Sequence, residues 1–377
     1  MKEFSLQDFL DDLKQLCAID SGHLHGPGAV AVTEFFETRY QALGLRTQRL
    51  HYKDNANTPF LLVSNSEEED FDVLFIAHMD TVFPVGTGAQ WALTEIEPGI
   101  VSGPGCADCK GGCLLLYYMI RHLIQEGKCN FRFRIAMNSD EEAGSRYSRA
   151  YFEELAQHTK YCFVYEPGRP KDEFVGQRKG GVNYLLRCHG VTAHAGVDPE
   201  KGASAILELA RWVNELYKLV DYDRGVVVNV GKFTGGTETG SVPEFAECKL
   251  NVRVLQEEDL NGLNEMLERM QREPFDERTT MEIVKVSHRP CMVPHEATMA
   301  LLEELQKAGK DVGQTPDWLV TGGVSDGNFV SCYGVATLDG CGPCGGKLHT
   351  REEYMKTQSV EDRFAIMTAL LQRLFPQ

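Results

Sequence analysis

Residues 72–80 of the 377-residue chain read DVLFIAHMD, an apolar run that ends in a histidine and an aspartate. Residues 72–77 are β-like, and this run is one of several that alternate with helices at the spacing of a parallel, doubly wound α/β layer. His78 and Asp80 follow the run directly, so they lie where the predicted strand ends. In an open parallel sheet, ligands bind beyond the carboxyl ends of the strands. The segment therefore predicts a sheet and the edge at which its chemistry takes place.

Other β-like runs along the chain also lead into acidic or imidazole side chains. These are Glu141 and Glu142 after residues 131–137, Glu166 after residues 161–165, His349 beyond residues 335–338, and Asp108 beyond the short extended piece 100–102. Closely spaced carboxylates repel one another, and burial adds a desolvation cost. Divalent cations remove this conflict, and a mixed set of imidazoles and carboxylates suits zinc. The strand ends together predict a catalytic metal site.

Each of these residues also has an ordinary structural interpretation when it is taken singly. A His-x-Asp triplet arises often by chance, and adjacent acids such as Glu141 and Glu142 usually lie at a solvated helix N-terminus. Glu166 could be a plain loop acid, and His349 a surface or hydrogen-bonded core histidine. The joint placement at strand ends favours the metal site over these alternatives.

The order of the strands and helices along the chain predicts two domains. Up to residue 179, strands alternate with helices at the spacing of a doubly wound α/β layer. From about residue 180 the order becomes strand, helix, two strands, helix, strand, which is the ferredoxin-like split unit. We therefore predict an α/β domain of residues 1–179 and 289–377, interrupted by an inserted α+β domain of residues 180–288.

Composition limits the class of protein. With 42% hydrophobic and 25% charged residues, the chain is neither disordered, nor collagen-like, nor a coiled coil. Its net charge of −17 argues against nucleic acid or an anionic membrane as a partner. The N-terminal segment lacks the apolar core of a signal peptide, and the longest uncharged apolar run, residues 113–120, is too short to span a bilayer. These observations predict a cytoplasmic protein.

Three stretches resemble the signature sequences of a known enzyme family. They are HMDTVF at 78–83, GPGCADCKGG at 103–112 and SDEEAGS at 139–145. The family is that of the dinuclear zinc exopeptidases and deacylases: carboxypeptidase G (glutamate carboxypeptidase), aminoacylase, acetylornithine deacetylase and succinyl-diaminopimelate desuccinylase. The resemblance covers essentially the whole chain, ends with residues 340–349, and is closest to the carboxypeptidase G branch. It implies a zinc-exopeptidase-like α/β catalytic domain whose insert is a lid and dimerisation domain.

The resemblance implies a role for each candidate at the sheet edge. Asp108 would bridge two zinc ions, and the remaining ligands would be His78 and Glu166 on one ion, Glu142 and His349 on the other. Asp80 would orient His78, Glu141 would act as the general base, and a metal-bridging hydroxide would be the nucleophile. Cobalt or manganese are alternatives to zinc. The family also commonly has a cis peptide bond after the bridging aspartate.

The resemblance further implies roles for the inserted domain. His194, in GVTAHAG at 190–196, would reach the active site of the partner in a homodimer and stabilise the oxyanion. Asn229 and Arg253 would bind the substrate carbonyl or carboxylate. Independently, alternation along residues 245–254 places Arg253 on the polar face of its strand, where a merely solvated position is the alternative. A guanidinium fork suits a free α-carboxylate. The implied activity is hydrolysis of an amide bond beside a free carboxylate, in a peptide or an N-acyl amino acid.

The chain departs from the family pattern at several places, and alternative functions stay open. Gly240 stands where an asparagine is usual, and the stretch with Phe174 and Gly176 has no obvious cation to bind a glutamate side chain, which argues against strict glutamate specificity. An N-acyl-amino-acid deacylase or a dipeptidase of the same family is the first alternative. A non-catalytic metal-binding protein and a Cys-ligated redox protein are the remote ones. The redox protein would use the two CxxC pairs, which are Cys106 with Cys109 and Cys341 with Cys344. In a metal hydrolase, the same thiols would border the metal cleft and would make the enzyme sensitive to oxidation.

Overall fold

A computed structural model describes residues 4–22, 25–52 and 55–376 of the chain. Residues 1–3 of the N-terminal segment considered above lie outside the described residues. The described chain forms two compact units. The first unit contains the residues before Arg178, then Pro294–Thr321 and the residues from Ser325 onward, and the second contains Arg178–Val293 and Gly322–Val324. The predicted division into a catalytic domain and a lid stays a functional prediction, and each unit is described by itself.

The helices and strands are numbered in chain order. The helices are α1 (Leu6–Cys17), α2 (Gly26–Ala42), α3 (Thr87–Gln90), α4 (Lys110–Gln125), α5 (Arg149–Ala156), α6 (Ala205–Tyr217), α7 (Asn261–Arg272), α8 (Glu296–Asp311), α9 (Gly327–Ser331) and α10 (Thr357–Leu374). Short 3₁₀ turns cover Pro199–Lys201 and Glu257–Leu260. Among the described helices, none combines the length and apolar character needed to cross a membrane. A cytoplasmic location stays a prediction.

The strands form four sheets in the described part of the chain. The strands are β1 (Arg46–Tyr52), β2 (Asn55–Ser64), β3 (Val73–His78), β4 (Thr94–Glu97), β5 (Ile100–Ser102), β6 (Phe133–Asn138), β7 (Tyr161–Val164), β8 (Phe174–Arg178), β9 (Gly180–His189), β10 (Val227–Gly235), β11 (Phe245–Val254), β12 (Thr280–Arg289), β13 (Trp318–Thr321), β14 (Ala336–Leu338), β15 (Gly345–Gly346) and β16 (Tyr354–Lys356). The sheet orders are β1-β2-β6-β3-β7-β14, β10-β11-β9-β12, β13-β8 and β15-β16-β5-β4.

The main sheet of the first unit is parallel where the candidate site residues lie. Strands β6, β3, β7 and β14 run parallel to one another, whereas β2 pairs antiparallel with both β1 and β6. The prediction of a parallel layer is therefore right for the four strands that lead to the site and wrong for β1 and β2. Because β2 begins at Asn55, just after β1 ends at Tyr52, there is no room for the crossover of a dozen or more residues that a parallel pair needs.

Strand β3 lies at the centre of this sheet and is buried along its whole length. Val73 and Phe75 belong to a core cluster that includes buried residues of α1, α2, α4, α8 and α10. Leu74 and Ile76, on the opposite face, belong to a cluster with residues of α5 and α9. Helices thus cover both faces, which explains why the strand is apolar at every position up to His78.

The second unit has the predicted ferredoxin-like topology. Its four strands pair in an antiparallel way in the order β10-β11-β9-β12. Helices α6 and α7 contribute residues such as Trp212 and Leu267 to a core cluster with the apolar side chains of the sheet. Strand β12 continues to Arg289, one residue beyond the predicted end of the inserted domain at residue 288. This extension places an additional arginine in the sheet.

Helix α4 begins two residues after Asp108 and packs closely against neighbouring backbone. A Cβ atom added at Gly112 would lie 1.9 Å from the carbonyl oxygen of Tyr165, and one added at Gly111 would lie 2.2 Å from that of Cys106. Both distances are far below van der Waals contact, so only glycine permits this approach. The paired glycines therefore hold the start of α4 against the residue that precedes Glu166.

We expect Gly112→Ala to destabilise the protein by about 1–3 kcal/mol, because the added methyl group overpacks the contact with Tyr165. At a solvent-exposed position within a helix, replacing glycine by alanine would instead stabilise the protein by up to about 1 kcal/mol. Gly262→Ala in α7 is the matched control, since its Cβ would meet its nearest neighbour, Leu219 Cδ2, at 3.5 Å. Urea unfolding measures both variants, and an unfolding midpoint of Gly112→Ala at or above the wild-type value would contradict the expectation.

Candidate metal centre

The carboxyl ends of the parallel strands bring the predicted ligands together. His78 is the last residue of β3, and Glu166 follows β7 by two residues. Glu142 lies in the turn after β6, and His349 lies in the segment between β15 and β16. Asp108 closes the loop between β5 and α4, and its peptide bond to Cys109 is cis, as the resemblance implies.

Asp108 presents its two carboxylate oxygens to two different imidazoles. His78 Nε2 lies 3.0 Å from Asp108 Oδ1 and 3.6 Å from Glu166 Oε1. His349 Nε2 lies 3.2 Å from Asp108 Oδ2 and 3.3 Å from Glu142 Oε2. The five side chains thus form two imidazole–carboxylate pairs, His78 with Glu166 and His349 with Glu142. Asp108 contacts the imidazole of each pair. This is the arrangement that a carboxylate bridging two cations requires.

The donor set fits metal ions in chemistry and in spacing. Ligand atoms of His78, Asp108 and Glu142 lie within 4.8 Å of one another. Two ligands bound tetrahedrally to one zinc at 2.0–2.1 Å lie about 3.3 Å apart, and the imidazole–carboxylate separations here are 3.0–3.6 Å. Glu142 Oε1 is buried and has no hydrogen-bond partner among the described residues. A cation would supply what that buried oxygen lacks.

The pKa values of the ligands reflect this crowding of charge. Burial opposes protonation of His78, but hydrogen bonds to Asp108 and Asp80 outweigh it and raise the pKa well above the usual value. Hydrogen bonds to Asp108 and Glu142 raise the pKa of His349 to about 10. Burial also raises the pKa of Glu142, whereas the two imidazoles lower that of Asp108 in spite of its burial. Without a metal ion, protons therefore take the place of cations between these carboxylates.

Asp80 connects His78 to the turn that carries the two glutamates. Its Oδ1 lies 3.3 Å from His78 Nδ1, and its backbone oxygen lies 3.1 Å from the same nitrogen. The carboxylate also accepts hydrogen bonds from the backbone amides of Glu141, at 3.3 Å, and Glu142, at 3.0 Å. One buried aspartate therefore orients an imidazole and sets the position of the residue proposed as the base.

The side chains of the three consecutive acidic residues 140–142 lie in three different environments. Asp140 is buried, and its Oδ2 accepts hydrogen bonds from the amides of Tyr147 and Ser148 at 2.8 and 3.2 Å. Glu142 turns toward His349, while Glu141 remains partly exposed. Asp140 therefore stabilises the turn, which leaves Glu141 as the acid that is partly open to solvent beside the ligands.

His194, Asn229 and Arg253 lie in the second unit. His194 is exposed in the loop after β9, where its Nδ1 accepts a hydrogen bond from the Gly196 amide at 3.1 Å. Asn229 is exposed on β10, opposite Asn251 of β11. The structure therefore describes these three residues within their own unit, and their predicted contacts with substrate stay predictions.

Arg253 lies beside a second arginine that the sequence analysis missed. Arg253 and Arg289 are both paired with Gly181, from opposite sides of β9. A Cβ atom at Gly181 would lie 3.1 Å from Arg253 Cδ, so the glycine makes room for the guanidinium. Burial, together with the charge of Arg289, lowers the pKa of Arg253. Asn251 Oδ1 accepts a hydrogen bond of 3.4 Å from Arg253 Nε and so orients it. Arg253 is thus partly buried beside a second positive charge.

The four cysteines of the CxxC pairs are free and buried. Burial raises the pKa of Cys106, Cys109, Cys341 and Cys344. The Cys109 thiol donates to the Tyr165 carbonyl oxygen at 2.9 Å. Because the thiolate is the reactive form, the hypothesis of unusual sensitivity to oxidation loses its physical basis.

A parallel sheet whose strand ends present shared carboxylates and imidazoles defines the class of α/β metallohydrolases. A model of Peptidase family M20/M25/M40 matches residues 74–373. The chain therefore belongs to this family of hydrolases. This confirms the predicted fold class and the predicted family.

Individual relatives are distant but match over most of their length. Carboxypeptidase G2 from Pseudomonas sp. is 24% identical over 366 residues, which cover 96% of this chain and 88% of the relative. Succinyl-diaminopimelate desuccinylase from Beijerinckia indica is 26% identical over 368 residues, covering 90% and 92%. A tripeptidase structure from Staphylococcus aureus, 19% identical, aligns with a TM-score of 0.80 and covers 100% of both chains. The structural match supports the fold.

Proposed function

We propose that the protein is a metal-dependent hydrolase that cleaves an amide bond beside a free carboxylate, in a peptide or an N-acyl amino acid. The observation that carries this proposal is the carboxylate of Asp108, whose two oxygens face separate imidazole–carboxylate pairs. Such an arrangement suits two zinc ions per chain, with cobalt or manganese as alternatives. Carboxypeptidase G2 and the desuccinylase, to which the chain is similar, are named for activities of this chemical class.

In this proposal the residues of the first unit bind the metal ions and transfer the proton. Asp108, His78 and Glu166 would hold one ion, and Asp108, Glu142 and His349 would hold the other. When bound, the ions supply Lewis-acid activation of the scissile carbonyl and of the attacking water. Glu141 accepts the proton of that water at its carboxylate and then donates it to the nitrogen of the leaving amine.

The second unit would bind the substrate. Arg253 would bind the free carboxylate, because a guanidinium fork matches both carboxylate oxygens. Asn229 would bind the substrate carbonyl or carboxylate. The resemblance also supports a homodimer formed through this unit, with His194 stabilising the oxyanion in the partner's site. An N-acyl-amino-acid deacylase or a dipeptidase of the same family is the alternative that a substrate screen decides.

The function is tested by hydrolysis assays on dipeptides and N-acyl amino acids with zinc-reconstituted protein. We expect turnover of substrates with a free C-terminal carboxylate and little turnover of their amidated counterparts. Arg253→Ala is expected to raise KM for the free acids by about 10–100-fold, the value of a hydrogen bond to a charged group. Arg187→Ala is a suitable control, since Arg187 of β9 already pairs with Glu247 and Glu282. Equal turnover of free and amidated substrates would contradict the proposal that Arg253 binds the free carboxylate.

A further inference from the structure

Glu353 is a fully buried carboxylate that lies beneath the loop carrying Asp108. Its Oε1 accepts hydrogen bonds from the backbone amides of Ala107 and Asp108, at 2.9 and 3.0 Å. Its Oε2 accepts a third, of 3.3 Å, from the amide of Gly105. Successive amides that converge in this way form a concave anion site, and here a side chain of the protein itself fills it.

The position of Glu353 follows from the small sheet that contains β5 and β16. Tyr354 of β16 pairs with Ser102 of β5, the residue that immediately precedes the loop. The Ser102 hydroxyl donates to the backbone oxygen of Glu353 at 2.7 Å. Strand pairing thus brings the carboxylate directly under the loop amides. These residues are separated by about 250 positions in the chain, so nothing local in the sequence indicates the contact.

The same segment also carries His349. Glu353 follows it by four residues, and the Glu353 amide donates to the Thr350 carbonyl oxygen at 3.1 Å. His349 has a left-handed backbone conformation, with φ of 63°, and its side chain reaches Asp108 and Glu142. Glu353 therefore joins the turn that supplies one imidazole to the loop that supplies the shared aspartate.

We propose that Glu353 is a positioning residue for the metal centre, which holds Asp108 and His349 in the relative arrangement that binds two ions. The inference rests on the proposed function, since it takes Asp108 and His349 as ligands. A carboxylate provides acceptor oxygens for all three loop amides. A glutamine in its place would turn an NH₂ donor toward at least one amide N–H, so the loop would lose an acceptor and shift.

The test compares zinc affinity among metal-free wild type, Glu353→Gln and Glu353→Asp, by titration with zinc chloride against a chromophoric chelator. We expect Glu353→Gln to bind zinc about 10–100-fold more weakly, as is typical when a group supporting a ligand is lost. Glu353→Asp keeps the charge but reaches less far, so its affinity should lie between the two. Glu352→Gln is the matched control, because Glu352 is exposed and pairs with Lys347. It should bind zinc like wild type.

Stability is measured in parallel, by thermal unfolding of the metal-free proteins. A residue needed only for folding would lower the unfolding temperature without changing the zinc affinity of the folded protein, and wild-type affinity in Glu353→Gln would overturn the inference. If wild type itself bound no zinc, the proposed function would fail instead. Should Glu353→Gln not fold, hydrogen exchange on metal-free wild type decides: slow exchange of the Ala107 and Asp108 amides supports the inference, and exchange as fast as in exposed loops refutes it.

Discussion

Replacing Glu141 by alanine is expected to lower kcat by about 10²–10⁴-fold while the content of bound metal stays at the wild-type value. This range is what a positioned general base contributes to proton transfer. Glu141 is held in place through its backbone amide, which donates to Asp80, and its partly exposed side chain belongs to neither imidazole–carboxylate pair. Its loss should therefore remove proton transfer and leave the ligand set intact.

Steady-state kinetics and elemental analysis on the same preparation measure the two parts of this prediction. Glu141→Gln, which keeps the shape but cannot accept the proton, should be as inactive as the alanine variant. Glu154→Ala, at an exposed position of α5, serves as the control for loss of a surface glutamate. Substantial residual activity in Glu141→Gln would remove Glu141 from the mechanism. A wild-type protein that binds metal but hydrolyses no amide would favour the non-catalytic alternative.

Replacing Asp108 by alanine is expected to abolish binding of both metal ions and, with it, activity. Asp108 is the one residue that contacts both imidazoles of the cluster in the described chain. The loss of affinity should exceed the 10–100-fold that removal of a merely supporting group costs. Glu142→Ala, by contrast, should weaken only the ion held with His349.

Metal content per chain after dialysis against a weak chelator distinguishes these outcomes. Wild type should retain two ions, Glu142→Ala one, and Asp108→Ala none. Asp311→Ala changes an exposed aspartate at the end of α8 and should retain both ions. Two tightly held ions in Asp108→Ala would refute the bridging role and, with it, the proposal of a shared carboxylate.

Much of the site could be predicted because its residues follow strands that the sequence itself reveals. His78 and Glu166 come directly after apolar runs, and parallel strands present their carboxyl ends at one edge. The antiparallel hairpin of β1 and β2 was missed, and only the short connection between the two strands distinguishes it from the predicted parallel layer. Arg289 was missed because the predicted inserted domain ended at residue 288, so its alignment with Arg253 across Gly181 was not visible.

The sequence by itself determined the α/β fold class, the family, and the acid and imidazole residues that follow the strands, because these depend on local apolar patterns and on contiguous motifs. The tertiary structure decided which oxygen of Asp108 faces which imidazole, and that Glu353 lies beneath its loop. The contact of Asp108 with His349 and the contacts of its loop with Glu353 join segments more than 200 residues apart in the chain. Such contacts arise only when strand pairing and core packing bring the segments together, so no local pattern can encode them.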